Sequence, residues 1–165
     1  MAKPSVYIET TIPSYLVSRP TRDVVISANQ QMTRDWWRER RTEFDMFVSD
    51  VVREEILRGD PEMSRKRAEI VRSLPILEPN ETVDGLVRIY KAHIGLPLDA
   101  APDIAHISYA VAYEMDYLLT WNCKHIANGA VIRRLQKVNG GLGVRTPTIV
   151  TPYELLYSKE GEEDV

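Results

Sequence analysis

Four side chains that could carry chemistry stand at the ends of apolar runs or at the starts of helical patterns: Glu9, Glu55, Asp103 and Asn122. Glu9 finishes the strand-like run Val6-Tyr7-Ile8 and is followed by Thr10 and Thr11. Glu55 falls one to two turns into a short helix after a second strand. Asp103 lies in the first turn of a later helix, and Asn122 closes the run Tyr117-Leu118-Leu119-Thr120-Trp121. In α/β folds, sites form in the crevice beyond the carboxyl ends of parallel strands. All four groups can project to one such edge. Three carboxylates packed together repel one another, and some would protonate unless a cation were present. A hard dication such as Mg²⁺ or Mn²⁺, bound through oxygen, resolves the conflict.

Each group also has a plainer reading. Asp103 suits a helix N-terminus through the dipole alone, and Glu54 offers a surface equivalent of Glu55. Glu9 is harder to dismiss, because a glutamate at the end of an apolar strand is a poor choice for a purely structural turn. Cys123-Lys124-His125 suggests a thiol with a nearby imidazole, but sequence neighbours seldom face each other and no second base is evident. One cysteine and three scattered histidines lack the spacing of a zinc site. His106 shares a helix face with Asp103 and reads equally as a rim group or a satisfied core histidine. Asp99 reads as a loop residue or cap. Gly140-Gly141-Leu142-Gly143 follows a helix where a phosphate loop would open one. Two basic clusters remain: Arg34, Arg38, Arg40 and Arg41, and Arg65-Lys66-Arg67. A solvated face with Asp35 and Glu39 as partners is the simpler account. If those helices flank the crevice, they can instead guide a phosphate backbone.

The elements that must position these residues alternate. Strands are expected at Val6 to Glu9, around Phe44, Met46 and Val48, at Tyr117 to Trp121 and at Thr148 to Val150, with a short extended piece boxed in by prolines at Pro75 to Pro79. Helices are expected from Thr11, from about Asp23 to Arg41, from Val51 to Leu57, from Asp60 to Ser73, from Asn80 to His93, from Pro102 to Met115, and from Ala130 to Val138, closed by Asn139-Gly140-Gly141. A last short helix starts at Thr151-Pro152, with Glu154 placed for a capping box. Strands alternating with helices imply βαβ units and a mainly parallel sheet.

At 165 residues the chain is long enough to bury one real core, and the expectation is a single domain over 1–158 with an acidic, frayed tail over 159–165. No apolar run approaches the roughly 20 residues that span a bilayer. Lys3 and Pro4 lead straight into a strand, so no signal peptide is expected. The single cysteine excludes an internal disulfide and fits the cytoplasm. A net charge of −3 argues against a broad, non-specific grip on nucleic acid but permits a local basic patch.

Taken in order, Val6-Tyr7-Ile8-Glu9-Thr10, Ser49-Asp50-Val51-Val52-Arg53-Glu54-Glu55-Ile56, Pro102-Asp103-Ile104-Ala105-His106 and Leu119-Thr120-Trp121-Asn122-Cys123-Lys124-His125-Ile126-Ala127-Asn128 resemble the motifs of PIN-domain proteins. The closest likeness is to the VapC-like toxins of bacterial toxin–antitoxin pairs. It runs from the first strand to the closing Thr-Pro-Tyr-Glu-Leu-Leu. The resemblance implies a three-layer α/β/α sandwich with a mainly parallel central sheet, an acidic pocket for Mg²⁺ or Mn²⁺, and endonucleolytic cleavage of RNA. By position it implies Glu9, Glu55 and Asp103 as metal ligands, Asn122 as a further catalytic group, and Thr10, Thr120 and His125 as groups that support the pocket or place the substrate. It also implies a cognate antitoxin and a homodimer. Two departures stand out. Glu9 replaces the usual aspartate, pushing its carboxylate about 1.5 Å further out. Asn122 replaces a fourth acid, which removes a charge and favours one held ion over two. Two readings from other classes stay open: a non-catalytic RNA- or protein-binding module, and a metal phosphoesterase for small substrates.

Overall fold

Short strands that are apolar on both faces must be covered on both faces, and that requirement sets the architecture. In the computed structural model, which describes residues 2–157, five strands form one sheet: β1 (Ser5–Ile8), β2 (Asp45–Ser49), β3 (Ile76–Leu77), β4 (Tyr117–Leu119) and β5 (Thr148–Val150). Their order is β3-β2-β1-β4-β5, and every pair is parallel. Central β1 pairs Tyr7 with Phe47 on one side and with Leu118 on the other. Its Val6, Tyr7 and Ile8 have no exposed surface.

The chain winds outward from β1 through β2 to β3, then returns to lay β4 on the other flank of β1. The winding therefore reverses between β1 and β4, the position where open parallel sheets form their crevice. Helices α1 (Thr11–Val17), α2 (Val24–Glu39), α3 (Asp50–Ile56) and α4 (Pro61–Val71) serve the outward winding. Helices α5 (Glu81–His93), α6 (Ala101–Ala112) and α7 (Gly129–Leu142) serve the return, and α8 (Pro152–Tyr157) follows β5. The right-handed rule for parallel crossovers puts the two sets on opposite faces. Accordingly α1 packs on α2 and α4, α2 on α8, and α5 on α6 and α7. The short α3 meets both sets, packing on α4 and α6. This is a three-layer α/β/α sandwich.

Capping follows the sequence closely. Asp23, Asp60, Asn80 and Asn128 each accept hydrogen bonds from the first turn of the helix they precede. The Thr151 amide donates to Glu154 Oε2 at 2.9 Å, as a capping box requires.

Two expectations fail locally. Helix α7 does not stop at Asn139-Gly140-Gly141 but runs through both glycines to Leu142. Asn139 is turned into the core, where its Oδ1 accepts from the Tyr90 hydroxyl (2.5 Å) and its Nδ2 donates to Thr146 Oγ1 (2.8 Å). The helix ends instead at Gly143, whose φ of +70° is the left-handed conformation glycine adopts cheaply. Arg40, read from sequence as part of a solvated basic face, is only 7% exposed. Its Nη1 donates to the carbonyls of Leu155 (3.0 Å) and Leu156 (2.9 Å), and its Nε to Glu43 Oε2 (2.8 Å). Those carbonyls belong to α8, so a side chain at the end of α2 ties the two helices together.

The other arginines of the first cluster are engaged as well. Arg34 donates to the Ser18 carbonyl, Arg38 pairs with Asp35 and Glu39, and Arg41 lies over the Trp37 ring. The acidic tail over 159–165 lies outside the described residues. No described helix is long and apolar enough to cross a membrane.

Because buried Arg40 donates to two α8 carbonyls and to Glu43, Arg40→Met should destabilise the protein by about 2 kcal/mol. Urea unfolding, followed by far-ultraviolet circular dichroism, measures this. An unchanged midpoint would contradict the assigned role.

Candidate metal centre

The site is built where β1 and β4 end side by side. The Glu9 amide donates to the Leu119 carbonyl at 3.1 Å, carrying the pairing one residue past the strand. That fixes the Glu9 backbone, and the residue is only 3% exposed. Three donors converge on its Oε2: the Thr11 amide (3.0 Å), Thr11 Oγ1 (2.5 Å) and Thr120 Oγ1 (2.7 Å). Both hydroxyls also accept in turn, Thr11 Oγ1 from the Trp121 amide and Thr120 Oγ1 from the Asn122 amide. The threonines therefore stitch the two strand ends together around one carboxylate oxygen. The other oxygen, Oε1, has no hydrogen-bond partner among the described residues and lies 4.0 Å from His106 Nε2.

Glu55 reaches the same place from α3. Its Oε1 accepts from Thr10 Oγ1 (2.8 Å) and lies 2.5 Å from His106 Nε2. His106, on α6, has no exposed surface. Its Nδ1 meets the Tyr7 hydroxyl at 2.7 Å, and that hydroxyl meets Ser49 Oγ at 2.7 Å. A buried chain thus runs Glu55–His106–Tyr7–Ser49 beneath the crevice.

Burial by itself would lower the His106 pKa, but the hydrogen bond to Glu55 and the charges of Glu9, Glu55 and Asp103 outweigh it and raise the value. Burial would likewise raise Glu55, yet the bond and charge of His106, aided by Thr10, bring it below the ordinary range. Both shifts favour the proton on the imidazole and the charge on the carboxylate. Burial holds Tyr7 well above its ordinary pKa, so it stays a neutral hydroxyl.

One donor atom each from Glu9, Glu55 and His106 lies within 4.8 Å of the others. The sequence expectation named Asp103 as the third member. Asp103 lies outside this group: its Oδ1 accepts from Asn122 Nδ2 (2.9 Å) and its Oδ2 meets His125 Nδ1 (2.7 Å). Asn122 closes that triangle by accepting from the His125 amide (3.0 Å). The difference is one turn of α6. Asp103 stands in the first turn, while His106, three residues deeper on the same side, reaches the level of Tyr7 and Ser49. The spacing of Asp103 and His106 was the only signal in the sequence, and it does not distinguish a ligand from a core histidine.

Of the supporting residues, Thr10 and Thr120 bond directly to Glu55 and Glu9, and His125 is held by Asp103. Cys123 is exposed, and burial of its sulfur together with the charge of Glu154 raises its pKa. That is the reverse of an activated thiol.

Two carboxylates and an imidazole are a sound donor set for a first-row dication. The imidazole moves the preference from Mg²⁺, which takes oxygen, towards Mn²⁺ and its neighbours. The unpartnered Oε1 of Glu9, facing His106, is the feature such an ion would satisfy. Tyr7 and Ser49 supply the outer contact that metal-bound histidines usually have on the second ring nitrogen.

An ion held there stabilises the fold by mass action, about 2.7 kcal/mol at a hundredfold excess over Kd. A Mn²⁺ titration followed by thermal melting should therefore raise Tm by about 5–10 °C for a chain of this size. Glu9→Gln and His106→Asn should each abolish most of that rise, measured against the variant's own metal-free Tm. A full rise in both variants would place the ion elsewhere.

No protein-family model and no curated protein sequence matches the chain. Solved structures do. One chain of VapBC2 from Rickettsia felis, solved bound to a DNA fragment from its promoter, superposes with a TM-score of 0.52 at 13% identity, covering 88% of this chain and 97% of that one. One chain of VapBC-1 from nontypeable Haemophilus influenzae superposes with a TM-score of 0.54 at 15% identity, covering 90% and 98%. At such identities the likeness is one of fold, and it spans nearly all of both partners. The chain has the three-layer α/β/α PIN fold found in these VapBC complexes.

Proposed function

We propose that this protein is a metal-dependent endoribonuclease, hydrolysing RNA phosphodiester bonds, and that it is the toxin of a toxin–antitoxin pair. The observation that carries the reading is the group Glu9, Glu55 and His106, set at the reversal point of a parallel sheet with one carboxylate oxygen left unpartnered. Mn²⁺ or Mg²⁺ in that group supplies Lewis acidity towards water and a phosphate oxygen.

The chain's own residues do the rest. Thr11 and Thr120 lock Glu9 through Oε2, so Oε1 faces the crevice without losing rotamer freedom on binding. Thr10 holds Glu55 at Oε1, and Tyr7 fixes the His106 ring through Nδ1. Asp103 and Asn122 orient His125, whose Nε2 has no partner among the described residues and can meet the substrate at the rim. Preorganised groups of this kind need no rearrangement as charge develops on the phosphate, which is where such sites gain most.

The partner proposed for the toxin is a small antitoxin that covers this crevice, and the assembly proposed is a homodimer, in the cytoplasm. The likeness in fold to chains of two VapBC complexes supports this reading.

Incubation of a structured RNA with Mn²⁺ should give discrete fragments, and chelation should stop the cleavage. Glu55→Gln should lower the rate by at least the ~100-fold that losing an outer contact of a metal site can cost. Thr120→Val, isosteric but unable to donate to Glu9, should weaken Mn²⁺ binding by about tenfold. RNA left intact, with a simple phosphate ester turned over, would select the small-substrate phosphoesterase. RNA intact with no turnover of either would select a binding module.

A further inference from the structure

The two basic clusters of the sequence part company in the structure. Every arginine of the α2 cluster is engaged, and in the second cluster Lys66 pairs with Glu62 while Arg67 donates to the carbonyls of Ile56 and Arg58. Arg65 differs. Together with Arg53 and Arg72 it borders a cavity of about 370 Å³ between α3, α4 and the edge strand β3. None of the three has an ion-pair or hydrogen-bond partner among the described residues. The cavity also has an apolar side, with Ile56 and Val71 buried beneath it and Leu57 (66%) and Ile76 (36%) exposed. Glu69 is the one carboxylate on its border, so the local charge is +2 in a chain whose net charge is −3.

We infer that this cavity is a second RNA subsite, holding one nucleotide of the single strand whose neighbouring phosphodiester lies in the metal centre. The inference rests on the ribonuclease reading above. Free guanidinium groups beside an apolar surface match the two halves of a nucleotide. The phosphate takes the charge, while the base lies on Leu57 and Ile76 or stacks on a guanidinium plane.

Position supports the same occupant. Helix α3 carries Glu55 into the metal centre, and Arg53, two residues earlier, emerges on the other side of the helix because residues i and i+2 do not share a face. Site and cavity stand back to back across one helix, about 10–12 Å wide with its side chains. A strand cleaved at one reaches the other within a few nucleotides. Arg67, bonded to two carbonyls at the end of α3, keeps α3 and α4 together and so holds the cavity open.

The test compares two triple variants with the same change in charge. R53Q/R65Q/R72Q empties the cavity of cations, and R34Q/R38Q/R41Q removes the same number from α2 and the turn after it. Binding of a labelled 12-nucleotide single-stranded RNA is measured in chelator over a range of salt, with melting curves to confirm folding. Losing the one phosphate held in the cavity should flatten the salt dependence by about 0.7, the value per phosphate for single strands. The α2 variant should stay close to wild type. With Mn²⁺, the cavity variant should show a raised KM on the long RNA and an unchanged kcat on a dinucleotide that fills only the metal centre.

Equal salt slopes for the two variants, or an unchanged KM, would overturn the inference while leaving the ribonuclease reading intact. Altered self-association or partner binding with unaltered RNA binding would overturn it too, and would make the cavity a protein-docking surface. A wild-type protein that binds RNA but never cleaves it would defeat the underlying reading and this one together.

Discussion

Two glutamates brought face to face beside a histidine in a buried crevice form the constraint on which the rest of the structure depends. Carboxylates at such range repel, and burial makes each charge dearer still. The protein answers with hydroxyls and a proton. Threonine hydroxyls saturate one oxygen of Glu9 and brace Glu55, and His106 Nε2 lies 2.5 Å from Glu55 and 4.0 Å from Glu9. A dication bound there would take over the contacts this nitrogen makes. The arrangement is stable without metal and prepared for it.

That constraint accounts for features scattered along the chain. Thr10 and Thr11 follow Glu9 because both acids need donors from the same turn. Thr120 follows β4 directly because only a residue level with Glu9 can reach its Oε2. Tyr7 lies in the middle of the sheet, where a phenylalanine would pack as well, because His106 needs a partner on Nδ1. The switch in sheet order brings these residues together from positions more than a hundred apart in sequence. Around them the helices mainly hold strand ends in register.

Much of this was legible in the sequence. Four of the five strands, the parallel sheet, the caps at Asp60 and Asn80 and the crevice shared by Glu9 and Thr120 all follow from local pattern and turn chemistry. The misses have physical causes. Asn139-Gly140-Gly141 has the composition of a helix stop, but a long-range bond from Tyr90 outweighs it. Arg40 reads as surface because the carbonyls it serves lie far along the chain in α8. His106 could not be assigned because its role depends on depth along α6, which spacing does not report. Asp103, the expected third ligand, stands one turn earlier on α6, where its oxygens meet Asn122 and His125.

The central claim is that Glu9, Glu55 and His106 hold one ion between them. Pulsed electron paramagnetic resonance of the protein loaded with a single equivalent of Mn²⁺ tests this most directly, because it senses a directly bound ¹⁴N. The account predicts a nitrogen coupling that disappears in His106→Asn and persists in Asp103→Asn. A spectrum of oxygen ligands alone, or a coupling unaffected by loss of His106, would contradict it.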